Sequence, residues 1–405
     1  MKKDYLVLAF GNLKHRGLRS WLTILGIFIG IAAVVALISL GQGLENGIEK
    51  QFENLGKDKI IIEPITMGPP GSVTSESLIL TSKDLEYIED IDGVEWAMGY
   101  LVKTGQAKFK DESAIGFGIG VNPEDFEVGL NLQGVEIIDG RALKEGDKFK
   151  VVLGYDHSVE GKIWEEGITV GGKVVIEGQE FKVTGIIEKV GNPFDDGALY
   201  IPKETLREVL NVGDEESQIM VKVRDGEDVN EVAEEIKRKL IRFRDEKEGQ
   251  ETFTVSTSEQ LLNSFKDILG IVQAVLVGIA VISLFVGGIG IMNTMYTSVL
   301  ERTKEIGIMK AVGAKNSDIL YIFLIESGCL GLVGGVIGIL LGTGLAKGVE
   351  YIAVNMLGTN LLQASIDVTL ISAALAFSFL VGTLSGVFPA MRAARLKPVD
   401  ALRYE

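Results

Sequence analysis

One cysteine, Cys329, and two histidines, His15 and His157, are all that the chain holds of those residue types. No disulfide can form within one copy, and no Cys/His cluster has the spacing of a structural zinc site. A phosphate-cradling loop is also missing. Gly-Lys occurs at 56–57, 161–162 and 172–173, but Asp58, Ile163 and Val174 follow where a Ser or Thr would hold magnesium. Neither HExxH nor Gly-x-Ser-x-Gly is present. The close glycines of "GIGIM" (288–292) lie in an apolar run and read as helix packing, not as a dinucleotide loop. Asp195 and Asp196, in "NPFDDGALYIP", read as a turn before a strand. ATP hydrolysis by this chain alone, zinc proteolysis and serine-hydrolase chemistry are therefore not expected.

Long apolar runs are what the chain has in quantity. Ser20–Leu44, Ile268–Leu300 and Val368–Met391 carry no charge, and Ile319–Ala346 carries only Glu326. Each exceeds the ~20 residues needed to cross a bilayer core, so the sequence predicts four transmembrane helices. The first run is longer than a signal-peptide core and no small-x-small cleavage pattern follows it, so it reads as a span. Basic residues set the orientation. Lys2, Lys3, Lys14, Arg16 and Arg19 precede the first span. Arg302, Lys304, Lys310 and Lys315 lie between the second and third, and Arg392, Arg395, Lys397 and Arg403 follow the fourth. Residues 348–368 have none. The positive-inside rule then places both termini and the 301–318 loop in the cytoplasm.

The expected organisation is a membrane α-helical protein with a large α+β extracytoplasmic domain between spans 1 and 2. Residues 1–19 form either an amphipathic cytoplasmic helix lying on the membrane lipid, through Leu6, Phe10 and Leu13, or a plain positive flank. The spans are placed at 20–42, 268–300, 319–346 and 369–391. A short outer loop covers 347–368, and a cytoplasmic tail 392–405. Residues 43–267 carry a net charge of −21 against −16 for the whole chain, so the acidity belongs to the outer domain. Such a surface suits solubility and gives no support for nucleic-acid binding. Leu37, Leu40, Leu44, Ile48, Phe52 and Leu55 continue a helical stripe outward as a stalk, and Leu262, Phe265 and Leu269 do the same on the return. Between the stalks, two porter-like halves (57–113 and 213–257) flank a β-rich insertion (114–212) with Gly turns.

Small residues recur at four-residue spacing inside the spans. Gly26 and Gly30 form one pair, and Gly334, Gly338 and Gly342 a longer row, as close helix packing requires. Glu326 lies about 10 Å into the third span by helical rise, near its cytoplasmic end. It is either a proton or substrate group or a structural partner for a basic group such as Arg16 or Arg392; its shallow depth favours the second. Between spans, "ERTKEIGIMKAVGAKNSDI" (301–319) reads as a short amphipathic helix with Ile306, Met309 and Val312 or Gly313 on one side and Arg302 facing Glu305.

"SVLERTKEIGIMKAVGAKNSDILYIFLIESGCLGLVGGVIGILLG" closely resembles the core of the MacB/FtsX-type ABC permeases, also called type VII ABC transporters. The matching positions are Glu301, Arg302, Glu305, Ile306, Gly307, Lys310, Ala311, Gly313 and Ala314, and then Phe323 to Glu326; the coupling helix that the resemblance implies includes Met309 as well. "NLKHRGLRSWLTILGIFIGIAAVVALISLGQG" resembles the family's first span, and "GVFPAMRAARLKPVDALRYE" its C-terminus. The resemblance implies a permease that binds no cofactor itself. It implies a homodimer of permeases and a separate ABC ATPase subunit that binds ATP and magnesium and docks on the helix between spans two and three. It also implies transmission of ATP-driven motion to the outer domain, or mechanotransmission. The macrolide exporters of the family carry their ATPase at the N-terminus, whereas this chain reaches its first span within 20 residues. Export or extraction of an amphiphile is the leading expectation; the alternative is an FtsX-like regulator of an extracytoplasmic partner.

Overall fold

The computed structural model describes residues 18–65, 79–132, 134–356 and 358–402. In chain order these form α1 (Leu18–Leu55), β1 (Lys59–Pro64), α2 (Ser82–Glu89), β2 (Val94–Phe109), β3 (Glu112–Val121), α3 (Pro123–Leu132), β4 (Ile137–Gly140) and β5 (Lys150–Leu153). Then follow β6 (Lys173–Ile176), β7 (Gln179–Ile187), α4 (Pro193–Asp196), β8 (Ala198–Pro202), α5 (Lys203–Leu210), β9 (Gln218–Val223), α6 (Val229–Phe243) and β10 (Phe253–Thr257). The chain ends with α7 (Ser258–Glu301), α8 (Thr303–Ala311), α9 (Asn316–Asn355), α10 (Val368–Ala394) and α11 (Pro398–Leu402). Two compact units result: a helical one, from the N-terminal part through Glu45 with Asp267–Ala353 and Leu362 onward, and a sheet one, Asn46–Lys266 with Val354–Leu361. The helix expected over 1–19 lies outside the described residues except for its last two.

Among the described residues, four helices are long and apolar enough to cross a membrane. Their ends run past the expected spans: α9 continues through Asn355, so the start of the expected outer loop is helical. In the helical unit, glycine lets backbones meet where lipid offers no hydrophobic drive. A Cβ on Gly26 would lie 2.8 Å from the Gly287 Cα of α7, and one on Gly30 would lie 2.9 Å from Leu284. Gly338 and Gly342 face α1, with Ile31 and Ala32 in the way of any side chain, and Gly334 is buried. A second seam joins α9 to α10, where Gly331 and Gly382 approach so closely that a Cβ on either would meet the other's Cα at 3.0 and 2.9 Å. Ile27, Ile31, Leu284, Met295, Phe323 and Leu330 fill the space between these seams.

The sheet unit is organised by one strand. The sixteen residues of β2 pair along their first half with β9, in an open sheet ordered β10-β1-β9-β2. Along their second half they pair with β3, from which the ladder runs through β8, β5, β7 and β6 and returns to β2. Six strands thus close into a ring, which removes their free edges. The ring takes in Leu101–Phe109 of β2, so the β-rich part begins before residue 114. Inside are Trp164, Phe181, Val151, Leu153 and Ile201. On the open sheet, β9 alternates Ile219, Val221 and Val223 inward, and α6 adds Val232, Ile236 and Leu240 to the same core. The α2 N-terminus is fixed by a capping box between Thr81 and Asp84. Glu216, fully buried, accepts from Lys203 Nζ at 2.6 Å and Arg207 Nη2 at 3.0 Å. The two outward helix extensions meet within this unit, Phe52 against Phe265 and Glu49 beside Lys266 at 3.3 Å.

His157 is locked neutral in the ring. Its Nε2–H donates to the Gly197 carbonyl at 3.0 Å, and its Nδ1 accepts from Trp164 Nε1 at 3.0 Å. Burial pulls its pKa down to about 4. The folded value lies below the unfolded one, so this contribution is complete above about pH 6.5 and is lost as pH falls toward 4, to a limit of about 3 kcal/mol. Asp195, pushed up to about 6 by burial and then by Asp196, acts in the opposite sense. A His157→Gln variant isolates the histidine. Urea midpoints from tryptophan fluorescence should converge between wild type and variant as pH drops from 7 to 4; parallel pH profiles would contradict the assignment.

Candidate functional site

The segment between α7 and α9 is a rigid bracket. Arg302 stands at the head of α8, its Nη1 3.4 Å from Glu326 Oε2 on α9 and its Nε 3.6 Å from Glu305 Oε2. Glu326 is only 4% exposed, so Arg302 supplies a countercharge where desolvation makes one necessary. Arg302 is thus a basic partner of the kind expected, though not one of the two residues named for it. Arg392 instead packs over the Tyr296 ring, 4.6 Å from its centroid, and donates to the Tyr296 hydroxyl, while Arg16 lies outside the described residues. Thr303 donates to the Val299 and Leu300 carbonyls, closing the end of α7.

One side of α8 is buried. Thr303, Ile306 and Gly307 are enclosed, and Met309 and Ala314 pack on the same core as Phe323 and Ala390. Lys310 Nζ donates to the Ala394 carbonyl at 2.6 Å and the Leu396 carbonyl at 2.7 Å. These acceptors lie at the C-terminus of α10, where carbonyls have no intrahelical partner and a cation is favoured. The α11 helix packs against α8 as well. Gly313 ends the bracket at φ +108°, a conformation that side chains rarely adopt, with Ala314 N donating to the Met309 carbonyl at 3.0 Å.

The other side is open. Glu301, Lys304, Glu305 and Lys315 are exposed, and among them stand Ile308 and Val312, 51 and 85% exposed. They are four residues apart, so they form one apolar knob within a ring of charges. Val312 thus faces outward, against the expectation that it shares the side of Ile306 and Met309. Val312 keeps helical backbone and, six residues from Ile306, lies well round the helix from the buried side. Ile308 was not singled out from the sequence, although its offset of two from Ile306 already puts it on the opposite face. The bracket thus presents an exposed apolar surface on one side and is fastened directly to α9 and α10 on the other.

Comparison with known proteins agrees with this architecture. A family model described as the MacB-like periplasmic core domain matches residues 20–239, and one described as the FtsX-like permease C-terminal matches residues 277–398. An uncharacterized ABC transporter permease from Methanocaldococcus jannaschii is 38% identical over 403 residues, covering 99% of this chain and 98% of that one. A macrolide export ATP-binding/permease protein MacB from Bdellovibrio bacteriovorus is 32% identical over 416 residues, covering 99% of this chain and 62% of the relative. This chain therefore spans less than two thirds of that fused protein. The solved periplasmic region of MacB from Actinobacillus actinomycetemcomitans aligns over 54% of this chain and 97% of its own length, with a TM-score of 0.43 and 16% identity. The chain belongs to the MacB/FtsX-type family of ABC transporter permeases. It is a membrane protein with a large extracytoplasmic domain between its first and second apolar helices.

The Lys310 contact carries a direct test. Charge-assisted hydrogen bonds are worth roughly 1.5–3 kcal/mol when a partner is removed. Lys310→Met should lower the thermal midpoint of the detergent-solubilised protein by several degrees, whereas Lys304→Met, on the exposed side of the same helix, should leave it unchanged. Equal midpoints for both variants would show that the α10 cap holds nothing.

Proposed function

We propose that this permease works as a homodimer with a separate ABC ATPase subunit, which binds ATP and magnesium and docks on α8 from the cytoplasm. Both termini lie on that side. ATP-driven closure of the ATPases moves α8, and the bracket transmits the movement through α9 and α10, along α1 and α7, to the extracytoplasmic domain. The work done there is export or extraction of an amphiphile, by mechanotransmission. The observation that carries this reading is the two-sided build of α8: an exposed Ile308–Val312 knob on a helix clamped by Arg302 to Glu326 and by Lys310 to the end of α10. A connector that merely oriented the protein would need neither the clamp nor the knob.

The homodimer has separate support in α7. Ile268, Val272, Val275, Ile279, Ile282, Val286 and Ile289 alternate spacings of four and three, and each is 44–67% exposed. Exposed Asn293 continues the register at the next position. Lipid tails accept any apolar pattern, whereas two parallel helices supercoiling left-handedly need this 3.5-residue repeat, and β-branched residues suit it. A two-fold axis along the membrane normal sets α7 of two copies parallel, as that register requires.

Docking is tested by co-expression with the ABC ATPase encoded beside this chain. Ile308→Asp and Glu305→Lys should each abolish co-purification and stimulated ATP hydrolysis while the permease still reaches the membrane, and Gly307→Trp should do the same by lifting α8 off its core. Full ATPase binding by Ile308→Asp would remove α8 as the docking element.

A further inference from the structure

The sheet unit holds a cavity that neither the closed ring nor the docking site uses. Its volume is about 350 Å³, at the small end of the range of small-molecule sites. The α2, α3 and α4 helices and strands β2, β8 and β9 contribute to its wall. Met98 and Met220, directly paired across β2 and β9, lie with Phe126 on its apolar part. Thioether and aromatic surfaces of this kind adapt to an apolar body of variable shape. Gly129 keeps part of the space open. It lies inside α3, where glycine is otherwise destabilising, and a Cβ there would point at the Tyr100 hydroxyl at 3.4 Å and the Met98 sulfur at 3.8 Å. The Tyr100 hydroxyl donates to that sulfur at 3.8 Å, a weak acceptor, so a stronger one would readily displace it.

The charge of the wall is one-sided. Glu89, Asp125 and Asp195 all line it. Lys203 is the wall's one cation, and its ammonium is committed to Glu216 Oε1 at 2.6 Å and the Gly99 carbonyl at 3.2 Å. Asp125 acts on Glu89 and Tyr100, whereas Asp195 feels Asp196 outside the wall and is hydrogen-bonded to Asn192 and Tyr200. Burial and then Asp125 push Glu89 up, burial and then Asp125 push the Tyr100 phenol up to about 12, and burial followed by Asp196 raises Asp195 to about 6. An entering cation relieves this repulsion, and an entering anion adds to it. The acidic outer domain attracts cations to the same place.

We propose that this cavity is a binding site for an organic ammonium ion carrying a compact aromatic or branched apolar body. The apolar body fills the space beside Met98, Phe126 and Met220. The ammonium sits between Asp125 and Asp195, where the aromatic faces add to the attraction. The site needs no ATPase and stands apart from the docking reading, so it is testable on the purified chain alone.

The probe is dansylcadaverine, a primary amine on an aromatic body, titrated into the full-length protein in dodecylmaltoside and read by fluorescence. N-acetylated dansylcadaverine and dansylglycine serve as the neutral and anionic counterparts, and each titration is corrected for partition into protein-free micelles. Saturable binding of the amine, at least tenfold tighter than either counterpart, is the expected result. Asp125→Asn and Asp195→Asn should each weaken it at least fivefold, and Gly129→Phe, which fills the cavity, should abolish it. Asp125 is partly exposed, so that variant remains informative if Gly129→Phe fails to fold. Equal binding of amine and acetylated probe, unchanged affinity in both Asp variants, or no saturable binding by the wild type would each overturn the proposal.

Discussion

Two charged groups at the ends of one short helix, α8, hold it to the long apolar helices behind it. Arg302 answers the buried carboxylate of Glu326 on α9, and Lys310 fills the carbonyl end of α10. Each contact is favourable because the alternative is costly: an unpaired acid in a low-dielectric setting, or open carbonyls at a helix end. Without them α8 would be an amphipathic segment resting on Ile306 and Met309, free to roll when pushed. With them, α8 is fastened at both ends to the helices behind it. The glycine seams continue this close fastening, since Gly331 against Gly382 and Gly26 against Gly287 leave no soft side-chain layer between helices.

Outside the membrane the same economy of parts recurs in β2. One strand belongs to the open sheet along its first half and to the closed ring along its second, so the two subdomains share a backbone and not merely a linker. The buried Glu216, gripped by Lys203 and Arg207, lies close behind Gly99 of that strand, which has no side chain to obstruct it. The outer segment after α9 is tied into the same unit through the amide of Asn360, which donates to the Gly191 carbonyl at 3.1 Å. Gly191 in turn donates its amide to the buried Asp196 at 2.9 Å.

What the sequence makes legible is what local pattern encodes. Uncharged runs long enough to cross a bilayer identify four helices, and β-alternation with glycine turns marks the sheet region. The position of Arg302 three residues before Glu305 shows the bracket's head, and Gly26, Gly30, Gly338 and Gly342 declare close packing by their spacing. Long-range pairing is not written that way. Nothing near Lys310 names the end of α10, 84 residues on, as its acceptor. Nothing near Glu326 prefers Arg302 over Arg392, since both are basic groups beside apolar helices. The ring's closure through β6 depends on a two-residue pairing with β2 that leaves no periodic trace. The outward direction of Val312 follows from its helical backbone, which sets it four residues after Ile308 and on the same face.

The most direct test of force transmission is a distance measured across two copies. With Cys329 replaced by Ala, a spin label at the exposed Lys50 position reports the separation of the outward helices in the complex with its ATPase, without and with ATP. The account predicts a shift on ATP binding in the otherwise native protein, and its loss in Lys310→Met under conditions where the ATPase still binds and hydrolyses ATP. An undiminished shift in Lys310→Met would contradict the claim that the clamped helix carries the motion.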